Sequence, residues 1–253
     1  MPTVGVIILG TEGMKRLAEC LESVAWADEV LLLHTGAMPP GPRMLAGKPI
    51  KFKAVNSLVA AAAWREIDSE WILRLWGEER VEPQLREELQ ALRQGSLKAG
   101  GSTYRIPVRS YLLGGWAVGS VSGASPAHRL YRKSTRPDSG WWSATEEAGV
   151  LGQGWIGDYS CSELSRAVEH IQFLSDYWAG QLGVVAPPPP AIRAVAASLR
   201  VFLRILFDNG IFFRGLAGIA LAALAGYAVL LSGAKSWEAK HLGTRGNMPG
   251  QAP

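Results

Sequence analysis

An apolar run in the first third of the chain ends on two acids: Trp71-Ile72-Leu73-Arg74-Leu75-Trp76-Gly77-Glu78-Glu79-Arg80-Val81. Carboxylates at the end of a strand are what a hard divalent cation takes as ligands, although one carboxylate alone holds Mg2+ weakly. The indole of Trp76, two residues earlier, cannot ligate such a cation. Downstream, His128-Arg129 offers a guanidinium, whose planar donors suit phosphate. His34, after another apolar run, can meet phosphate or simply fill a crevice. Each group also has a structural reading: Glu78 as a solvated loop acid, Arg129 as a strand arginine near a sheet edge. The four histidines (His34, His128, His170, His241) lack metal-like spacing, and two cysteines form no framework, so no metal site is expected. Tryptophans can stack on sugars, but Trp64 and Trp71 read as core.

The elements that must position these groups alternate. Val4–Leu9 is a continuous apolar run of strand length, and Met14, Leu17, Ala18, Leu21 and Val24 recur at helical spacing. Val30–Leu33, Ile50–Val55 and Trp71–Leu75 read as further strands, with a helix over Leu58–Ile67 between the last two. Pro83 suits a first helical position, Leu85, Leu89 and Leu92 mark an inner face, and Gly95 ends that helix. Strands alternating with helices predict an α/β fold, a Rossmann-like, mostly parallel sheet with flanking helices. Ligands of such sheets bind beyond the carboxyl ends of the strands. Residues 10–13, 34–39 and 76–79 all follow strands and should converge there. The pattern turns to β over Thr103–Val108, Tyr111–Leu113 and His128–Arg132. Ser160 with Glu163 reads as a capping box opening a helix through Leu164, Ala167, Ile171, Leu174 and Trp178.

The C-terminal part differs in character. Four prolines within 185–191 form a stiff linker. Ile192–Phe213 is amphipathic, with Arg193, Arg200 and Arg204 on one side. Gly215–Ala234 carries no charge over about the length needed to cross a bilayer, although an in-plane helical pair fits equally, and the structural alternative is a buried core helix. Trp237 reads as an interface anchor. The expected organisation is a domain at 1–184, the linker at 185–191, membrane-associated helices at 192–242 and a disordered tail at 243–253. Gly218, Ala222 and Gly226 are four apart, a spacing that favours helix association in lipid.

The scaffold residues resemble the lipopolysaccharide-core type of family 2 glycosyltransferase. The similar pieces are V-G-V-I-I-L from Val4, C-L-E-S-V-A-W-A-D-E-V from Cys20, W-I-L from Trp71, E-R-V from Glu79, Y-R-I-P from Tyr104, L-L-G-G-W from Leu112 and H-R-L-Y-R from His128. F-L-R-I-L-F, G-L-A-G-I-A-L and A-K-S-W-E follow in the same order. The resemblance implies a GT-A-like domain using a sugar nucleotide. It also implies a cation to neutralise the leaving diphosphate, held by an acidic pair. Trp76 stands where the first acid belongs and Glu78 where the second does. Gly10-Thr11-Glu12-Gly13 stands in place of a T-K-N-E segment. His34 and Gly36 stand in a D-S-G-S-T-D segment, of which only the glycine survives, and Ala60-Ala61 replaces a polar pair. Glu146 stands in the place of a V-H-E segment, where inverting chemistry needs a base to deprotonate the acceptor hydroxyl. The resemblance therefore implies a donor crevice lined by Gly10, Glu12, His34, Gly36, Trp76, Glu79, Arg80, His128 and Arg129. Its only weak catalytic candidates are Glu78 and Glu146.

Composition bounds the rest. The 253 residues are 48% apolar with a mean hydropathy of +0.08, enough for one large α/β domain with an appendage. Net charge is +4, its excess mainly near the apolar C-terminal region, which points to an anionic membrane surface and not to nucleic acid. No signal peptide opens the chain, so the main domain is expected at the cytoplasmic face of the inner membrane with reduced thiols. Two readings follow. In one the protein is catalytically inactive or altered, without cofactor, and acts as partner or scaffold in envelope glycan assembly. Its partner would be an active glycosyltransferase or a polysaccharide-assembly membrane protein. In the other it is an active, divergent transferase of sugar nucleotides in which Arg129 or Arg80 replaces Mg2+ or Mn2+. A crevice filled by Trp76 and Met38 favours the first, and a convergent basic cluster the second.

Overall fold

A computed structural model describes residues 1–10, 14–36, 43–55, 63–95, 101–112, 114–118, 127–134, 149–185, 191–208 and 215–243. Glu12, Met38, Pro39, Ala60, Ala61 and Glu146 lie outside them. The expected α/β fold is found. β1 (Val4–Gly10), β2 (Glu29–His34), β5 (Lys51–Ala54) and β6 (Trp71–Trp76) run parallel in the order β5-β2-β1-β6. β11 (Ala127–Arg132) joins β6 antiparallel, β8 (Thr103–Ile106) joins β11, and β12 (Gly149–Val150) closes the seven-stranded sheet. Chain order reverses between β1 and β6, so their carboxyl ends flank the crevice at which such sheets bind ligands. β3 (Met44–Leu45) and β4 (Lys48–Pro49) form a separate small hairpin.

Strand alternation sorts the side chains into two layers. Val4, Val6, Ile8, Leu32, Leu73 and Leu75 face α1 (Leu17–Ser23) and α2 (Pro83–Arg93) in the main core. Ile7, Leu9, Leu31, Leu33, Ile72 and Trp76 face the other way, with Ile67 and with Leu174 of α3 (Leu164–Val185). Of the helix expected over Leu58–Ile67, the described part is a single 3-10 turn at Ala63–Glu66. A second sheet, in the order β10 (Gly115–Val118), β9 (Val108–Leu112), β13 (Ile156–Asp158) and β7 (Glu79–Val81), stands beside the first. The capping box is not formed. The Ser160 hydroxyl donates to Asp158 Oδ1 at 2.5 Å, and α3 starts only at Leu164. A buried carboxylate two residues away offers a stronger, charge-assisted partner than a helix end.

The C-terminal helices return to the domain. α4 (Ala191–Asp208) and α5 (Leu216–Gly243) pack on each other, and α5 packs on α3. Leu221, Ala225 and Ala228 of α5 share a core with Ala167 and Ile171 of α3, with Cys161 and with Leu112 of β9. Lys235 pairs with Asp176 at 2.6 Å. The small residues of α5 are occupied within the chain: Ala222 is fully buried, and a Cβ on Gly226 would meet Phe202 Cβ at 3.3 Å. Ser198 also donates to the Gly226 carbonyl at 2.7 Å. Gly226 of that stripe is thus in contact with α4.

Candidate functional site

Gly10, His34 and Trp76 end adjacent strands. Gly10 is paired with His34, Leu9 with Trp76, and Gly77 N donates to Leu9 O at 2.9 Å. His34 is buried, its Nδ1 3.3 Å from the carbonyl of Gly36, which turns the chain with φ +77°. The described residues of the three expected segments thus do meet at one edge. What fills that edge is apolar. Trp76 is 1% exposed and sits among Ile7, Leu9 and Leu174, with the His170 ring edge-on at 6.5 Å. Met14, from the loop after β1, lies against Gly77, where a Cβ would collide with its sulfur. Burial holds the His170 ring below its ordinary pKa, in the neutral form.

The two acids part company. Glu79 turns inward, accepts from Trp76 N at 2.8 Å and pairs with Arg129 at 2.6 Å, both side chains almost wholly buried. Burial raises the Glu79 pKa to about 7 against the opposing pull of Arg129. Glu78 turns toward Arg166 of α3, 3.8 Å away, and burial raises it too. Neighbouring carboxylates that point to different partners cannot chelate one ion. Among the described residues no group of three His, Cys, Asp or Glu could hold a metal.

Next to Trp76 lies a basic group of which sequence reasoning named His128 and Arg129 but passed over Arg74 and Arg105. β11 shifts register between His128 and Leu130, at Arg129, and Arg74 acts electrostatically on both His128 and Glu79, the partner of Arg129, so it lies close to both. Arg74 and Arg129 are buried. Arg105 is paired with His128 in the neighbouring strand, and the imidazole is held below its ordinary pKa by burial and by Arg105 and Arg74. Three guanidiniums and one imidazole thus share a surface, with Glu79 as counter-ion to Arg129. Arg129 Nε and Nη1 and Arg105 Nε are buried and have no hydrogen-bond partner among the described residues. Such a surface suits an anion. The signal that would have found it was an arginine at an inward position of an apolar strand, as in Trp71–Trp76.

Arg80 belongs elsewhere. It lies 4.3 Å above the Tyr159 ring and pairs with Glu19, as does Arg16. Tyr159, Trp116 and Tyr111 form an aromatic group with centroids 5.2 to 6.0 Å apart. Arg193, Arg200 and Arg204 are exposed on α4, and Trp237 is half exposed on α5.

No family model matches the chain. Among solved structures, S. aureus TarS 1–349 is similar over 98% of this chain and 93% of its own, at 12% identity and a TM-score of 0.43. The same fragment in complex with UDP-GlcNAc covers equal shares at 11% identity and a TM-score of 0.46. A longer S. aureus TarS structure is similar over 81% of this chain and 44% of its own, at 12% identity and a TM-score of 0.41.

Proposed function

We propose that this is a glycosyltransferase-fold protein of cell-envelope glycan assembly, of the lipopolysaccharide-core type, whose donor site is altered so that it acts as a partner or scaffold at the cytoplasmic face of the membrane. The observation that carries this reading is Trp76. At the strand end where the resemblance calls for a metal-binding acid, a buried indole is locked between β1 and α3. The remaining acids, Glu78 and Glu79, are each engaged by an arginine. The sequence resemblance supports the family and the pathway, and the basic, apolar character of the C-terminal helices supports the membrane surface.

The test is ligand-dependent stability. Uridine-diphosphate sugars with Mn2+ are expected to leave the melting temperature unchanged. A ligand at 100 times its Kd would add about 2.7 kcal/mol, a shift of roughly 5–10 °C for a domain of this size. A metal-dependent shift of that order would overturn the altered-site reading. The basic group at Arg74, Arg105, Arg129 and His128 favours the second reading, an active transferase without metal. That reading expects a shift in EDTA that disappears in Arg129→Met.

A further inference from the structure

The last two helices leave one continuous apolar face uncovered. On α4, Ile192 (78% exposed), Val195, Leu199 and Phe207 lie along one side. On α5, Leu216 (75% exposed), Ile219, Tyr227, Leu230 and Trp237 do the same. The helices meet where Ser198 and Phe202 touch Gly226 and where Ala194 touches Gly233, so they run antiparallel. At 3.6 residues per turn, each stripe follows the contact line in the same rotational sense. Two antiparallel helices with that property bring both stripes out on one side, here the side away from α3.

The charge on this face identifies what covers it. Arg193, Arg200 and Arg204 form an exposed row along the outer flank of the α4 stripe. Residues 191–243 hold six Lys/Arg and two Asp/Glu, an excess equal to the net +4 of the whole chain. An apolar stripe edged by arginines complements a surface whose anionic groups lie just above hydrocarbon. A second copy of the chain would set the two arginine rows close together. A crossing is disfavoured as well. Gly218–His241 is long and apolar enough to cross a bilayer, but half of that stretch is buried in the fold, against Ala167, Ile171 and Leu112. Crossing would also detach Lys235 from Asp176 and from the Gln172 carbonyl.

We propose that the α4–α5 pair lies flat in the boundary between headgroups and acyl chains of an anionic leaflet, with its stripe of large apolar residues inserted and α5 not crossing. This rests on the membrane-surface reading above and adds the geometry of docking. It is tested with full-length protein and phosphatidylcholine vesicles with or without phosphatidylglycerol. Binding is expected to be tighter with phosphatidylglycerol and to weaken as salt screens it. Replacing Arg193, Arg200 and Arg204 together by Gln should weaken it roughly a hundredfold. Leu199→Ser with Phe207→Ser should abolish binding while unchanged circular dichroism and melting show the fold intact. An environment-sensitive fluorophore at Leu199→Cys, Ile219→Cys or Leu230→Cys should report one shallow depth. A depth that changes steadily along α5, or resistance to alkaline carbonate, would overturn the flat geometry and leave the membrane reading standing. A chain that binds neither vesicle, remains soluble and elutes as a dimer would overturn both.

Discussion

Glu79 and Arg129 are fifty positions apart and meet with almost no solvent around either. A buried pair repays its desolvation only when the remaining donors and acceptors are also engaged. Glu79 is doubly held, by Arg129 and by Trp76 N. Its pKa nevertheless rises to about 7, because desolvation outweighs the attraction of Arg129. A carboxyl whose folded pKa is raised binds more protons folded than unfolded. Its contribution to stability therefore falls as pH rises from the ordinary value of 4.5 to about 7 and is flat above. Arg129→Met removes the opposing attraction and extends that fall to higher pH. Urea denaturation should find the variant about 3–5 kcal/mol less stable at pH 8 and much closer to wild type at pH 5, where Glu79 is protonated. An equal difference at both pH values would refute the pairing. Trp76→Asp sets a carboxylate among Ile7, Leu9 and Leu174 and should lose at least the roughly 3–5 kcal/mol of a Trp truncation. Combined with Glu78→Asp, it should restore no transfer of sugar from UDP-sugars in a product assay. The substitution at Trp76 was legible in sequence because its neighbours keep their pattern. The Glu79–Arg129 pair was not, because only the β6–β11 register makes neighbours of residues so far apart.

At the scale of elements, the apolar runs at Val4–Leu9, Val30–Leu33 and Trp71–Leu75 gave the parallel strands directly, since strands buried on both faces cannot alternate. α5 was harder to read. A helix apolar nearly all round looks the same whether lipid or protein covers it, and its partners on α3 and β9 are far off in sequence. The small residues settle which neighbour it takes. A Cβ on Gly233 would stand 2.8 Å from Ala194 Cβ, so the two backbones approach closely there. Gly233→Leu should therefore cost about 1–3 kcal/mol by overpacking. Ala234→Leu, one position on and exposed, should change stability by less than about 0.5 kcal/mol. Equal urea midpoints for the two variants would contradict the α4–α5 contact.

Across the whole molecule, α5, which follows the proline-rich segment, packs back on α3, which precedes it. α3 continues to Val185, touches the sheet through Leu174 and carries α5 on Ala167 and Ile171. Cys161 lies in that second contact, with none of its surface exposed, next to Leu221, Ala225 and Ala228. Burial raises its thiol pKa far above the ordinary value, so the reactive thiolate is scarce as well as shielded. A chain ending at Pro190 loses α4 and α5 together and uncovers Cys161, Ile171 and Leu112. An exposed apolar patch of that kind promotes association. The shortened chain should be less stable than the full one and self-associate on gel filtration. Under native conditions it should react with a thiol reagent at Cys161, identified by peptide mass, while Cys20 stays protected on the buried face of α1. The full chain should react at neither cysteine. A monomeric shortened chain with an unreactive Cys161 would mean that the C-terminal helices are held by something other than this domain, and the flat docking of α4 and α5 would lose the support that keeps α5 from crossing.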